Sequence, residues 1–161
     1  MKVIFLDVDG VLNCETSKSK CGVIKGVDKD KVERLARIVK ETDAKIVLSS
    51  SWRDGIEDDT MESIDKYGKY LIDKLEKYGG LRIFGKTRYI NAWHRGSEIL
   101  NWLEEHESLN IESWIAIDDE IFPDYKIIGV TNNHLVKTSW YENGLQNEHV
   151  EQAIKLLNER M

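Results

Sequence analysis

Three short runs in this chain are apolar from end to end: VIFL at 3–6, IVL at 46–48 and WIAI at 114–117. A strand with one wet face alternates apolar and polar residues, whereas an unbroken apolar run needs cover on both faces. Longer stretches between the runs carry apolar residues at helical spacing, as in DKDKVERLARIVKET, where Val32, Leu35, Ala36 and Val39 share a face. Short buried runs alternating with amphipathic helices predict an α/β fold. The expected architecture is a mainly parallel, five-stranded central sheet with helices on both faces.

Along the chain, KVIFLDV is the first expected strand. Residues 13–27, polar and glycine-punctuated, are a loop or flap with room for a small hairpin. A helix follows, with Asp28 as its N-cap, and AKIVLSS is the second strand. DDTMESIDKYGKYLIDKLEKYGG reads as a charged helix, opened by Asp59 and Glu62 at capping-box spacing and stopped by Gly79–Gly80. It makes 53–80 a small helical insertion. LRIFG is the third strand, GSEILNWLEEHES a helix, SWIAIDD the fourth strand and YKIIGV the fifth. NEHVEQAIKLLNERM closes the chain as a helix with Asn147 as its cap, and the single proline, Pro123, falls in a loop. No repeat or linker divides the 161 residues, so one domain over 1–161 is expected.

With 41% hydrophobic residues the chain is too apolar for disorder. A net charge of −6 gives no overall footprint for sequence-indifferent nucleic-acid binding, although a local basic lip is compatible with an acidic whole. Cys14 and Cys21 lack CxxC spacing, which argues against a disulfide framework and suits a reduced, cytoplasmic setting. No signal peptide and no membrane-length apolar span is visible. No membrane partner is expected, and a monomer is the default.

In open parallel sheets, ligands bind beyond the carboxyl ends of the strands. Polar clusters follow three of the expected strands: Asp7 and Asp9 after the first, Ser49, Ser50 and Ser51 after the second, Asp118 and Asp119 after the fourth. An Asp-Gly pair is also an ordinary turn former. Carboxylates two apart on a strand share a face, however, and need a cation, a shared proton or solvent to coexist. A hard divalent ion such as Mg²⁺ suits them.

Four motifs in order resemble the haloacid dehalogenase (HAD) superfamily of phosphohydrolases. FLDVDGV matches its Asp-x-Asp-Gly motif, KIVLSSS its strand ending in Ser or Thr, and WIAIDD its strand ending in acids. Arg95 in HRGSEIL stands where the family places a Lys or Arg, with Lys86 and Arg88 as rivals. LDVDGVLN, VLSSSWR, IDDE and GLQNEHVEQAI are also similar to the small HAD-type domains associated with RNA-repair and polynucleotide-kinase enzymes.

The resemblance implies a Rossmann-like HAD fold without a large cap domain, and a phosphatase. Asp7 would be the nucleophile that forms an aspartyl-phosphate, and Asp9 the general acid and then base. Ser50, preferred over Ser49, would bind a phosphoryl oxygen, and Arg95 would stabilise the transition state. Gly10, Ser49, Ser51 and Lys86 would contact substrate. Mg²⁺ would be held by Asp7, Asp118, Asp119 and the backbone carbonyl of Asp9. Trp52 and Trp93 are either entrance walls or core, and Glu120 is expected at the surface.

Between the first two motifs there is room only for a flap, so the site is expected to be open. An open site admits a phosphate on a nucleic-acid end or a phosphoprotein. Lys18, Lys20, Lys25, Lys86, Arg88 and Arg95 would form a basic lip or be ordinary solvated surface. The alternatives are a phosphatase of a small nucleotide or metabolite, or a catalytically silent HAD-fold module. A receiver domain is disfavoured, because its phosphorylated Asp would fall in VLSSSW, which has none.

Overall fold

The computed structural model describes residues 1–159. In chain order the elements are β1 (Lys2–Leu6), β2 (Lys20–Cys21), β3 (Ile24–Lys25), α1 (Lys29–Thr42), β4 (Lys45–Leu48), α2 (Lys66–Gly79) and β5 (Ile83–Lys86). Then come α3 (Arg95–Glu105), β6 (Ser113–Asp118), α4 (Tyr125–Ile128), β7 (Leu135–Lys137) and α5 (Asn147–Asn158). Five strands form one parallel sheet in the order β5-β4-β1-β6-β7, and β2 and β3 make a separate antiparallel hairpin within the flap. This is the expected Rossmann-like α/β sheet without a large cap.

Strand alternation divides the core in two. Ile4, Leu6, Ile46, Leu48, Ile115 and Ile117 pack with α1, α2 and α5. Val3, Phe5, Val47 and Ala116 pack with Ile99 and Trp102 of α3 and Tyr125 of α4. Both faces are thus covered, as the unbroken apolar runs require. Among the described residues no helix is long and apolar enough to cross a membrane.

Three expectations need correction. YKIIGV is not a strand: Tyr125–Ile128 form the single turn of α4, closed by Gly129 at φ 93°, with Ile127 solvent-exposed. The fifth strand is instead β7, supplied by LVK. The helix expected from Asp59 begins only at Lys66, where the Asp65 carboxylate accepts from Gly68 N–H at 2.8 Å. Residues before it are spent on a bridge between Ile56 and Ser63 and on Met61 in the left-handed region. Gly80 ends α2 as expected. Asn147 is the first residue of α5 and Gln146 its cap; the end of the expected helix, Arg160 and Met161, lies outside the described residues.

Asp28 does precede α1, but its carboxylate makes no cap bond. It accepts from Ser17, from Ser19 at 3.0 Å and from Lys31 at 2.8 Å, tying the flap to the helix.

Candidate active site

Strand register assembles the site. Leu6 of β1 lies beside Leu48 of β4 and Ile117 of β6. One residue further on, Asp7 N–H donates to Ile117 O at 3.0 Å and Ser49 N–H to Leu6 O at 2.8 Å. Because Val3, Phe5, Val47 and Ala116 face α3 and α4, alternation carries that same face on to Asp7, Ser49 and Asp118. The opposite parity falls to Ser50.

From that side α3 delivers Arg95. Its Nη1 lies 2.9 Å from Asp118 Oδ2 and 3.4 Å from Asp7 Oδ1, and its guanidinium rests over the Phe122 ring at 4.4 Å. Asp124 fixes the first turn of α3, accepting from Gly96 N–H at 3.0 Å and from Ser97 N–H at 2.8 Å. The Tyr125 hydroxyl donates to Asp118 Oδ2 at 3.0 Å, so the turn of α4 also braces the acid.

Asp7, Asp118 and Asp119 offer three carboxylate oxygens within 4.8 Å of one another. Burial, and then the charge of Asp118, push the Asp7 carboxyl well above the usual carboxylate range, with Arg95 pulling against them. Asp119 is pushed up to about 6, chiefly by burial, against a hydrogen bond with Asp7 and with help from Asp118. Three carboxylates facing one guanidinium leave an excess of oxygen donors and of negative charge. That donor set fits a hard divalent cation.

Gly10 makes this packing possible. Its φ is +83°, and a Cβ there would collide with the Asp119 carboxylate, so both backbone and space call for glycine. The Thr138 hydroxyl fixes the turn by donating to Gly10 O at 2.6 Å.

Asp9 stands outside the three-acid cluster and is solvent-exposed. Its Oδ1 accepts from Asn13 Nδ2 at 3.0 Å and its Oδ2 from Trp52 Nε1 at 3.2 Å. Asn13, fully buried, also donates to Gly26 O at 2.8 Å and accepts from Gly10 N–H at 3.0 Å. Sequence reasoning passed over Asn13, whose only signal was its place in LDVDGVLN. Trp52, read as wall or core, is buried and also holds Asp9.

The serines separate by what they bond. Ser50 Oγ accepts from Trp52 N–H at 3.3 Å, capping the 3₁₀ turn at Ser51–Gly55. Ser49 Oγ is the one buried side-chain polar atom without a partner among the described residues. Ser49 thus shares the parity of Asp7 and Asp118 and has a free hydroxyl, whereas the hydroxyl of Ser50, the serine expected to meet phosphate, is used as a cap. Ser51 is exposed and lines a cleft of about 290 Å³ that also takes in Arg95.

Lys86 bonds groups other than Asp7, Asp118 and Asp119. Its Nζ donates to Arg53 O at 3.0 Å and to Ile56 O and pairs with Asp58 at 2.8 Å, bracing the turn after β4. Arg88 is exposed, 3.7 Å from Glu105. Of the three candidate cations, Arg95 is the one beside Asp7. The basic lip is correspondingly thin, since Lys25 also turns inward, to Ser17 O at 2.9 Å. Lys18 and Lys20 remain exposed on the flap.

A parallel sheet without a large cap, with acids at the carboxyl ends of β1 and β6, is the arrangement expected of the HAD superfamily. Residues 3–150, which take in all five strands of the sheet but for Lys2 at the start of β1, match the family described as the HAD domain in Swiss Army Knife RNA repair proteins, and the chain belongs to it. No curated protein matches the chain.

Proposed function

We propose that this protein is a Mg²⁺-dependent phosphomonoester hydrolase that works through an aspartyl-phosphate on Asp7. Its substrate is an exposed or macromolecular phosphate, a nucleic-acid end or a phosphoprotein. The observation that carries the reading is the convergence of Asp7, Asp118 and Asp119 within 4.8 Å, with Arg95 Nη1 alongside.

Asp7 attacks phosphorus; a new P–O bond forms to its carboxylate as the ester P–O bond breaks. Asp9 gives its proton to the departing oxygen, then takes one from the water that attacks phosphorus and frees Asp7 with inorganic phosphate. Asn13 and Trp52 orient Asp9 for both transfers. The Ser49 hydroxyl donates to a phosphoryl oxygen, and Arg95 matches the charge of the transition state. Held by Asp7, Asp118, Asp119 and the Asp9 carbonyl, Mg²⁺ would offset the repulsion between an anionic nucleophile and an anionic substrate.

The test is phosphate release from an aryl phosphate, and from a panel of phosphorylated DNA and RNA ends and phosphopeptides, with Mg²⁺ or EDTA. Release that needs the ion and disappears in Asp7→Asn is the expected result. Release undiminished in Asp7→Asn, or no release from any of the panel, would overturn it.

A further inference from the structure

The cleft that begins at Arg95 holds more than the chemistry at Asp7 requires. Tyr89 and Trp93 stand in its wall with 66% and 63% of their surfaces exposed, far from the burial that aromatic rings usually find. Phe122 completes the aromatic lining, but Arg95 covers its ring at 4.4 Å; the Arg53 guanidinium lies more loosely over Tyr89, 5.8 Å from its centroid, so Trp93 offers the freer ring and Tyr89 the part that Arg53 leaves exposed. Trp93 is also held at φ 71°, a left-handed conformation costly for a bulky side chain and one that clusters at ligand clamps. Polar groups sit at the rim: the exposed carboxylate of Asp54 and the amide of Asn91.

A ligand matched to this lining is flat, uncharged and polar at its edges. Asp54 would repel a phosphodiester, yet accepts well from an exocyclic amino group, and Asn91 offers both donor and acceptor to a base edge. A volume of about 290 Å³ is at the small end of ligand pockets, suited to one ring system rather than a helix or duplex. An aliphatic or acidic peptide side chain would use neither the ring faces nor the rim. Arg95 both walls the cleft and reaches Asp7, so whatever lies in the cleft is next to the reacting phosphate.

We propose that the Tyr89–Trp93 cleft seats the unpaired nucleobase adjoining the phosphate that is removed, which makes the substrate a single-stranded nucleic-acid end. The proposal rests on the phosphatase reading of Asp7. It narrows that reading from exposed phosphates in general to those that carry a base.

The experiment compares two end-phosphorylated single-stranded oligonucleotides that differ only in whether the phosphorylated terminal nucleotide keeps its base or is abasic. The quantity read is the ratio of their kcat/KM values, which cancels any partial loss of folding or of site geometry in a variant. Wild type should favour the base-bearing end by about 5- to 150-fold, the range of single-base stacking on an aromatic. Trp93→Ala and Tyr89→Ala should bring the ratio toward one. A ratio near one in wild type, or one unchanged in both variants, overturns the proposal. So does a phosphopeptide whose turnover exceeds that of the base-bearing end and falls in Trp93→Ala. The same ratio of Kd values, measured in EDTA, judges the cleft independently of turnover. Base-dependent binding without phosphate release would remove the phosphatase reading and leave the cleft assigned, whereas release without base dependence would do the reverse.

Discussion

Arg53 and Glu98 form a two-pronged ion pair, Nη1 to Oε1 and Nη2 to Oε2, each at 3.0 Å and both side chains buried. The pair joins the turn after β4, which carries the serines, to α3, which carries Arg95. Arg53 Nη1 also donates to the Thr87 hydroxyl at 2.9 Å, and Glu98 Oε2 accepts from Ile90 N–H at 2.9 Å. A buried pair so fully bonded matters most when one half is removed, because the other is left charged in a dry setting.

Arg53→Met is therefore expected to lower stability by about 3–5 kcal/mol in urea unfolding. Arg53→Met combined with Glu98→Leu should recover a large part of that loss, because no charge is then stranded. A double variant no more stable than the single one would mean that the pair contributes through geometry rather than through charge.

The grip of Trp52 on Asp9 is open to a narrow substitution. Trp52→Phe keeps an aromatic in the core but removes the Nε1–H donor 3.2 Å from Asp9 Oδ2. A hydrogen bond to a charged group contributes about 1.5–3 kcal/mol. If it is spent on orienting Asp9 in the transition state, kcat should fall roughly 10- to 100-fold with KM little changed. Steady-state kinetics separate the two, and a rise in KM alone would assign Trp52 to substrate binding instead.

The acid cluster sets a pH dependence with a definite sign. Asp119 is raised from 3.8 to about 6 in the folded protein, so the native state binds its proton more tightly than the unfolded chain does. In EDTA that contribution is complete below about pH 4 and is lost as pH rises through about 6. Discounted for the solvent around a half-buried carboxylate, it is about 1 kcal/mol, or roughly 2–4 °C in Tm. Asp119→Asn should erase this part of the acid stabilisation in calorimetry. Added Mg²⁺ should favour the ionised carboxylates and raise Tm more at pH 7.5 than at pH 5. An equal rise at both would argue that the ion binds elsewhere.

Much of this arrangement was legible in the sequence because it follows from strand ends. The apolar runs before Asp7, Ser49 and Asp118 are real strands, and the rule placing ligands at their carboxyl edges pointed to Asp7, Asp118 and Asp119, which the fold brings within 4.8 Å of one another. YKIIGV misled because a short apolar run has no period long enough to distinguish strand from helix. Pro123 before it and Gly129 after it, left-handed, leave space for a single turn. Asn13 and Trp52 were missed or half-read for a different reason. Their bonds to Asp9 span 4 and 43 positions across a folded flap and a turn, and no spacing rule encodes such contacts.

The choice between Ser49 and Ser50 turned on register, which the sequence does not show, and it yields opposite expectations for two similar variants. Ser50→Ala removes the oxygen that accepts from Trp52 N–H at 3.3 Å, so it should cost about 1 kcal/mol of stability and leave kcat within a few-fold of wild type. Ser49→Ala removes a hydroxyl with no partner among the described residues, so folding should lose nothing and should gain slightly from shedding a buried unsatisfied group. Its cost should appear in kcat, at about 10²–10³-fold, the usual loss when one donor to a developing oxyanion is deleted. Thermal unfolding and steady-state turnover on the same two proteins read both quantities. The reverse pattern, with turnover lost in Ser50→Ala and kept in Ser49→Ala, would return the phosphate contact to Ser50 and require the turn after β4 to rearrange when substrate binds.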